Sequence, residues 1–359
     1  MAPAIHQLVA GFRQGDAISN EALLMRFLFR KWGLDSEIAC AAQCVSPDQH
    51  DQVIGFDALR ARLRPEDTAI LHLSIGCEAN AVFPTLPCRR VVLYHNITPA
   101  RFFERIDPSA AASLAEGRRQ AAALAGATDV ALADSEFNAR ELAAMGYRDP
   151  RPLPLMIDLD RVHGQADAAY AARYDDGAAN ILFVGRVAPN KRHDELLRVF
   201  HDFQHYVEPH SRLVLAGSSG GTEAYRTLLL GQAYALGLKR VVFTGPLPQA
   251  QLNACYRTAS VFLCMSEHEG FCAPLLEAMH HDVPVVAVAA AAVPETMAGA
   301  GILFRDRDYP LIAETLGRLV HDPALRAAVV ERQRKRIAAY RARDFEAELR
   351  AALLGTARP

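Results

Sequence analysis

The sequence has no apolar run approaching the roughly 18 residues needed to cross a bilayer, and its first residues show no basic segment leading into an apolar one. Neither a spanning helix nor a secretory leader is indicated, so a cytoplasmic location is expected. Net charge is nearly absent as well: 39 Lys and Arg against 41 Asp and Glu leave −2. Without an excess of positive charge, nothing in the composition marks a nucleic-acid partner. The seven cysteines are an odd number and none stands in a C-x-x-C pair, which argues against both a disulfide framework and a zinc site. Reduced thiols are expected, with Cys40 and Cys44 as packing residues. A G-x-G-x-x-G fingerprint and a G-K-[ST] ending are also missing, which removes the usual signals for a dinucleotide site and a P-loop. No solenoid-period repeat or low-complexity tract is present.

What is present is 359 residues, 51% of them hydrophobic, about twice the usual domain size and enough for two cores. Short β-branched runs recur between helical patterns. They are "IHQLVA", "TAILHLSI", "RVVLYH" and "DVALAD", then "NILFVG", "SRLVLAG", "RVVFTG", "SVFLCM" and "VPVVAV". Strands alternating with helices predict doubly wound parallel sheets, an α/β fold. Two such sets are separated near residues 152 to 178, where three prolines fall within five residues and a polar tract follows. The predicted domains are 1–158 and 159–334, with a helical tail of about 335–359 that returns to the first.

"SEHEGFCAPLLEAM", residues 266 to 279, sets Glu269 and Glu277 eight apart across a loop that enters a helix. Following the strand "SVFLCM", this loop lies at a carboxyl edge, where ligands of open α/β sheets bind. Pro274 suits a first helical turn, and the free N–H groups of that turn attract phosphate. Carboxylates on either side of such a helix end match a nucleotide sugar: a hexose at Glu269, phosphates over the N-terminus, a ribose diol at Glu277. The cations for the phosphates stand in "FVGRVAPNKR", where Arg186 grips as a fork and Lys191 as a point charge. A third loop, "LAGSSGGTEAYR", has three glycines; a close approach to a ligand and a tight turn are equally open readings. In the first half, His95 and Asn96 end the strand "RVVLY", and "GFRQGDAISNEALL" offers Gly11, Gly15 and Asp16 before a helix that Ser19 is expected to cap.

With "EGFCAPLLE" matching an E-x7-E motif, and with "GRVAPNKR", "ALADSEFNAREL" and "LPLMIDLDR", the chain resembles glycosyltransferase family 4. These are retaining nucleotide-sugar enzymes of the GT-B fold, two Rossmann-like domains facing a central cleft. The resemblance implies that Arg186 and Lys191 hold the diphosphate, that Glu269 binds donor-sugar hydroxyls and that Glu277 binds the ribose. It places main-chain groups near Gly270, Phe271 and Cys272 on the sugar, with position 272 departing from the glycine of many members. It also gives His95 a contact near the reaction centre, Gly15 a place near the phosphates, and Asp16 a position where an acceptor hydroxyl arrives, a simple turn or cap role being the alternative. Retention of configuration follows from the resemblance alone.

The function so implied is transfer of a hexose from GDP-mannose or UDP-glucose to a glycan or lipid-linked acceptor in bacterial surface polysaccharide synthesis. GDP-mannose is slightly ahead, because "MSEHEGFCAPLLEAM" and "YHNITP" resemble polysaccharide and O-antigen mannosyltransferases. No cofactor and no metal are expected, since "DRD" at 306 to 308 is not on a loop suited to one. A GT-B sugar-nucleotide 2-epimerase and a non-catalytic nucleotide-sugar-binding protein are the alternatives. The stretch "ALLMRFLFRKW" carries Arg26, Arg30 and Lys31 beside aromatics, which suits a core helix with a basic solvent face better than a contact with the inner membrane surface.

Overall fold

The computed structural model describes residues 3–13, 15–162 and 164–354. The chain forms two compact units. One comprises the described residues up to Glu104, Pro108–Ile157 and those from Asp344 onward; the other holds Arg105–Asp107 and Asp158–Arg343.

The first unit is built on a six-stranded parallel sheet: β1 (Ile5–Leu8), β2 (Ile38–Ala39), β3 (Thr68–Leu73), β4 (Arg89–Tyr94), β5 (Val130–Ala133) and β6 (Arg151–Pro152). Its order is β2-β1-β3-β4-β5-β6. The second sheet contains β7 (Ala179–Val184), β8 (Ser211–Ala216), β9 (Val241–Gly245), β10 (Val261–Cys264), β11 (Val285–Val288) and β12 (Ile302–Phe304), in the order β12-β11-β10-β7-β8-β9. The nine strands expected from the sequence are all present. The three it did not show, β2, β6 and β12, are two or three residues long, too short for a periodic signal. All three stand at an end of their sheet. Pro152 is tolerated in one of these because an edge does not demand its N–H.

Buried parallel strands carry apolar residues on both faces, and period two assigns each residue to one of them. In the first sheet Leu8, Leu71, Leu73, Val92, Tyr94, Ala131 and Ala133 share one core. Ile5, Ile70, Val91, Leu93 and Leu132 form the other with Met25, Leu28 and Phe29 of the helix Ala17–Lys31. The helix Phe345–Leu354 adds Leu349 and Leu353 to that second core, whereas the helix before it, Pro323–Arg341, lies in the second unit. On Ala17–Lys31 the apolar face is buried and Arg30 and Lys31 are exposed, as is Phe27. Among the described residues no helix is long and apolar enough to cross a membrane.

Candidate functional site

In each sheet the strand order reverses at one point, and this fixes where loops diverge to leave a crevice. In the second sheet it falls between β7 and β10, which are hydrogen-bonded neighbours. The two motif loops singled out in the sequence leave these two strands.

Those loops are bonded to each other residue by residue. The Glu267 N–H donates to the Asn190 carbonyl at 2.9 Å, and the Asn190 side chain donates to the His268 carbonyl at 3.0 Å. Lys191 Nζ lies 2.5 Å from Glu269 Oε2. Arg192, held at φ 53°, reaches Glu267 at 2.6 Å and also pairs with Asp194 and Glu195. Arg307 binds Glu195 and the Met265 carbonyl, which gives the "DRD" segment a bracing role. Burial works against the Lys191 ammonium, yet the Glu269 carboxylate beside it raises its pKa overall. A buried pair of this kind is costly to break, because the survivor is left charged and unpaired. Arg186, by contrast, is exposed and forms no ion pair among the described residues.

The helix Ala273–His280 begins after Cys272, whose backbone takes the left-handed conformation at φ 69°, with Pro274 in the first turn and no side chain capping the start. The N–H groups of Phe271 and Cys272 donate to nothing among the described residues, so open donors stand at the positive end of the helix, where an anion is favoured. Phe271 is fixed from behind, its carbonyl accepting from the Thr296 hydroxyl. One turn into the helix, Glu277 is half-buried and accepts a hydrogen bond of 2.7 Å from the Tyr256 hydroxyl. Tyr256 is fully buried, and its ring stacks on His281 at 5.0 Å.

The glycine loop after β8 braces this arrangement. Val187 N–H donates to Ser218, and the Thr222 hydroxyl donates to the Val187 carbonyl. A β-carbon at Gly217 would stand 2.0 Å from the Gly185 carbonyl oxygen. Close packing of the two loops is thus what that glycine provides.

In the first unit the reversal falls between β1 and β3. The register pairs Gln7 with Ile70, His72 with Leu93, and Tyr94 with Ala133. Steps of two keep side chains on one face, so Gln7, His72, His95 and Asp134 line up across four adjacent strands. They bond in series. The Gln7 amide nitrogen donates to the Ala22 carbonyl, which turns its oxygen toward His72 Nε2 at 2.9 Å. His72 Nδ1 is 2.9 Å from His95 Nε2, and His95 Nδ1 is 3.0 Å from Asp134 Oδ2. Glu21, from the helix Ala17–Lys31, sits 3.8 Å from His95 Nδ1.

These contacts assign the protons. Gln7 Oε1 only accepts, so His72 Nε2 carries hydrogen. Burial and the neighbouring His95 charge depress the His72 pKa far below its usual value, leaving the ring neutral with Nδ1 as acceptor. His95 must then donate at both nitrogens. Burial opposes that charge, but Asp134 outweighs it and lifts the His95 pKa to about 9. Glu21 is pushed up to about 8 by burial, against the pull of His95. One oxygen each of Glu21 and Asp134 is buried without a hydrogen-bond partner among the described residues. The His72 and His95 rings are coplanar to 1° with centroids 5.1 Å apart, close to the most a 2.9 Å N···N contact allows. Their lone-pair directions meet head on, which suits a shared proton and not a cation.

The remaining predicted residues are placed as follows. Gly15 has φ 81°, the left-handed turn that glycine tolerates. The cap of the helix Ala17–Lys31 is Asp16, not Ser19 as expected: Asp16 accepts from the Ser19 N–H and hydroxyl, both at 2.9 Å. An N-cap oxygen bonds the N–H three residues on, and the carboxylate that comes first takes that place. Asp16 is nonetheless exposed. Asn96 is bonded to Asn138 and Glu141. Sequence reasoning missed Glu21, Gln7, Asp134, Asn190, Arg192, Glu267 and Tyr256 and set His72 aside. Only the shared strand parity of His72, His95 and Asp134 could have signalled some of them.

Residues 171–336 match the sequence profile of the family described as Glycosyl transferases group 1. A D-inositol 3-phosphate glycosyltransferase of Mycolicibacterium gilvum is 32% identical over 213 residues, covering 56% of this chain and 47% of that protein. The serotype-specific mannosyltransferase WbdA of Escherichia coli is 26% identical over 144 residues, covering 40% of this chain and 18% of that protein. The chain spans about half the length of the first curated relatives it matches. HepE of Anabaena, solved in complex with UDP and glucose, superposes with a TM-score of 0.75 at 15% identity over 98% of this chain and 100% of its own. The resemblance to glycosyltransferases drawn from the motifs holds at this level, and the architecture is the GT-B fold.

Proposed function

We propose that the chain is a retaining hexosyltransferase that moves a sugar from a nucleoside-diphosphate donor to a hydroxyl of a glycan or lipid-linked acceptor. The observation that carries this reading is the arrangement at the β7/β10 reversal. Lys191 is bonded to Glu269, open N–H groups follow at Phe271 and Cys272, and Glu277 is held by Tyr256 one turn later. Anion-favouring donors stand between two hydroxyl-accepting carboxylates.

In this reading Arg186, Lys191 and the helix N-terminus stabilise the departing diphosphate, which is where negative charge grows in the transition state. Glu269 accepts from hexose hydroxyls and Glu277 from the ribose. The acceptor hydroxyl attacks the face from which the diphosphate leaves, and its proton passes to the leaving phosphate. Because the cations are built in, no metal is needed, and turnover survives EDTA. His95 contributes fixed positive charge. With both nitrogens donating it is no general base, and Asp16 remains the exposed carboxylate for the acceptor side. On the helix Ala17–Lys31 the basic face is answered within its own unit, Lys31 pairing with Glu346 and Arg30 with Glu37, which supports a core helix with a basic solvent face over a contact with the inner membrane surface.

The WbdA similarity favours a mannose donor and a role in surface polysaccharide synthesis, whereas the HepE likeness favours UDP-glucose. A thermal-shift panel of UDP, GDP and dTDP sugars separates them, since a ligand at about 100 times its Kd adds about 2.7 kcal/mol. Release of nucleoside diphosphate only with an acceptor excludes both the 2-epimerase and the non-catalytic reading. Proton NMR of the product then reads the anomeric configuration, and inversion would refute the reading.

A further inference from the structure

We propose that Cys264, Glu269 and Cys272 form a binding site for a thiophilic divalent cation such as Zn²⁺ or Cd²⁺, and that an ion bound there excludes the sugar donor. The second half rests on the donor role given to Glu269 above. Cys264 closes β10, and Glu269 and Cys272 lie in the loop that follows. Each offers one ligand atom, and these atoms all lie within 4.8 Å of one another. All three residues are buried, with exposures of 0%, 8% and 8%. Around a tetrahedral zinc, with Zn–S about 2.3 Å and Zn–O about 2.1 Å, ligand atoms stand roughly 3.5–3.8 Å apart. Small side-chain rotations therefore close the cradle.

Two further observations point the same way. The backbone at Cys272 has φ 69°, a conformation in which a β-carbon costs on the order of 1 kcal/mol and glycine none. The strain is borne, and the side chain it retains is a thiol facing the thiol at the end of β10. The charge also balances. Two thiolates and one carboxylate sum to −3, which a divalent ion and the Lys191 ammonium cancel. Lys191 occupies one oxygen of Glu269 at 2.5 Å, and a carboxylate has lone pairs for a second partner. Three protein ligands with sulfur dominant leave a fourth position open and select zinc or cadmium over magnesium.

The test uses the full chain, reduced with a phosphine, stripped with a chelator and titrated with Cd²⁺ while thiolate-to-metal charge-transfer absorbance is followed. Saturation at one ion per chain is expected, with displacement by Zn²⁺ and not by Mg²⁺. Cys272→Gly suits the left-handed backbone and should fold. Its Cd²⁺ affinity should fall by on the order of 100-fold or more, since even outer partners of a metal site are worth about 10- to 100-fold. A Cys40→Ala/Cys44→Ala variant should titrate like the wild type. Absence of saturable absorbance, or an unchanged titration in Cys272→Gly, would overturn the site. Zn²⁺ should compete with the nucleotide sugar in the wild type. Stoichiometric Cd²⁺ binding with unchanged donor affinity would overturn the exclusion and the donor role of Glu269 together, leaving the ion site in place.

Discussion

His72 Nδ1 faces His95 Nε2 at 2.9 Å with the two rings in one plane, and this contact decides the charge of both. A neutral His72 anchored by Gln7 can only accept, so His95 is held doubly protonated between its neighbour and Asp134. Buried cations are kept by partners of this kind, and the series from Gln7 to Asp134 supplies them.

The pH dependence of stability follows from that series. His95 is raised from 6.5 to about 9 and Glu21 from 4.5 to about 8. In both cases the folded state holds its proton longer than the unfolded state does. Their contribution is fully present below the unfolded pKa values and is lost as pH rises through about 8 and 9. Each pH unit over which the two states differ by one proton changes stability by about 1.4 kcal/mol. Chemical denaturation at pH 6 and pH 9.5 should show the loss, and Asp134→Asn should flatten it. Equal slopes in the two proteins would show that His95 is not charged by Asp134.

Lys191→Ala should weaken nucleoside-diphosphate binding by about 10- to 150-fold, since a hydrogen bond to a charged group is worth about 1.5–3 kcal/mol. It also leaves Glu269 buried without its cation, so the same variant should unfold at lower temperature. Titration calorimetry and a melting curve read the two effects. An unchanged Kd would move the phosphate site away from this loop.

Tyr256→Phe keeps the ring on His281 and removes only the 2.7 Å bond to Glu277. With the carboxylate less firmly held, binding of the nucleoside portion should weaken about 2- to 13-fold, from roughly 0.5–1.5 kcal/mol. Comparing inorganic pyrophosphate with nucleoside diphosphate checks the assignment. A ribose role predicts loss for the nucleotide alone.

Gly217→Ala should cost on the order of 2–4 kcal/mol, because its β-carbon would meet backbone at 2.0 Å and the Gly185 segment has to shift. Since that segment carries Arg186, diphosphate affinity should fall along with the melting temperature. A variant with wild-type melting would show that the two loops are not in contact.

Several features needed only the sequence. Parallel strands covered on both faces are written as unbroken apolar runs, so nine of twelve strands and the doubly wound class could be read directly. Glu269, Gly270 and Glu277 were legible because a strand, a loop and a helix start are consecutive in the chain, and local order fixes local geometry. Tertiary structure decided what depends on register and on residues far apart in sequence. The charge of His95 is set by Gln7, His72, Asp134 and Glu21, which four strands and one helix bring together; strand parity puts the first three on its face, and only pairing fixes the offset. Lys191 meets Glu269 because strand order places β10 beside β7. Cys264 and Cys272 show no metal spacing in the sequence, and they converge because one ends a strand and the other turns left-handed at a helix start.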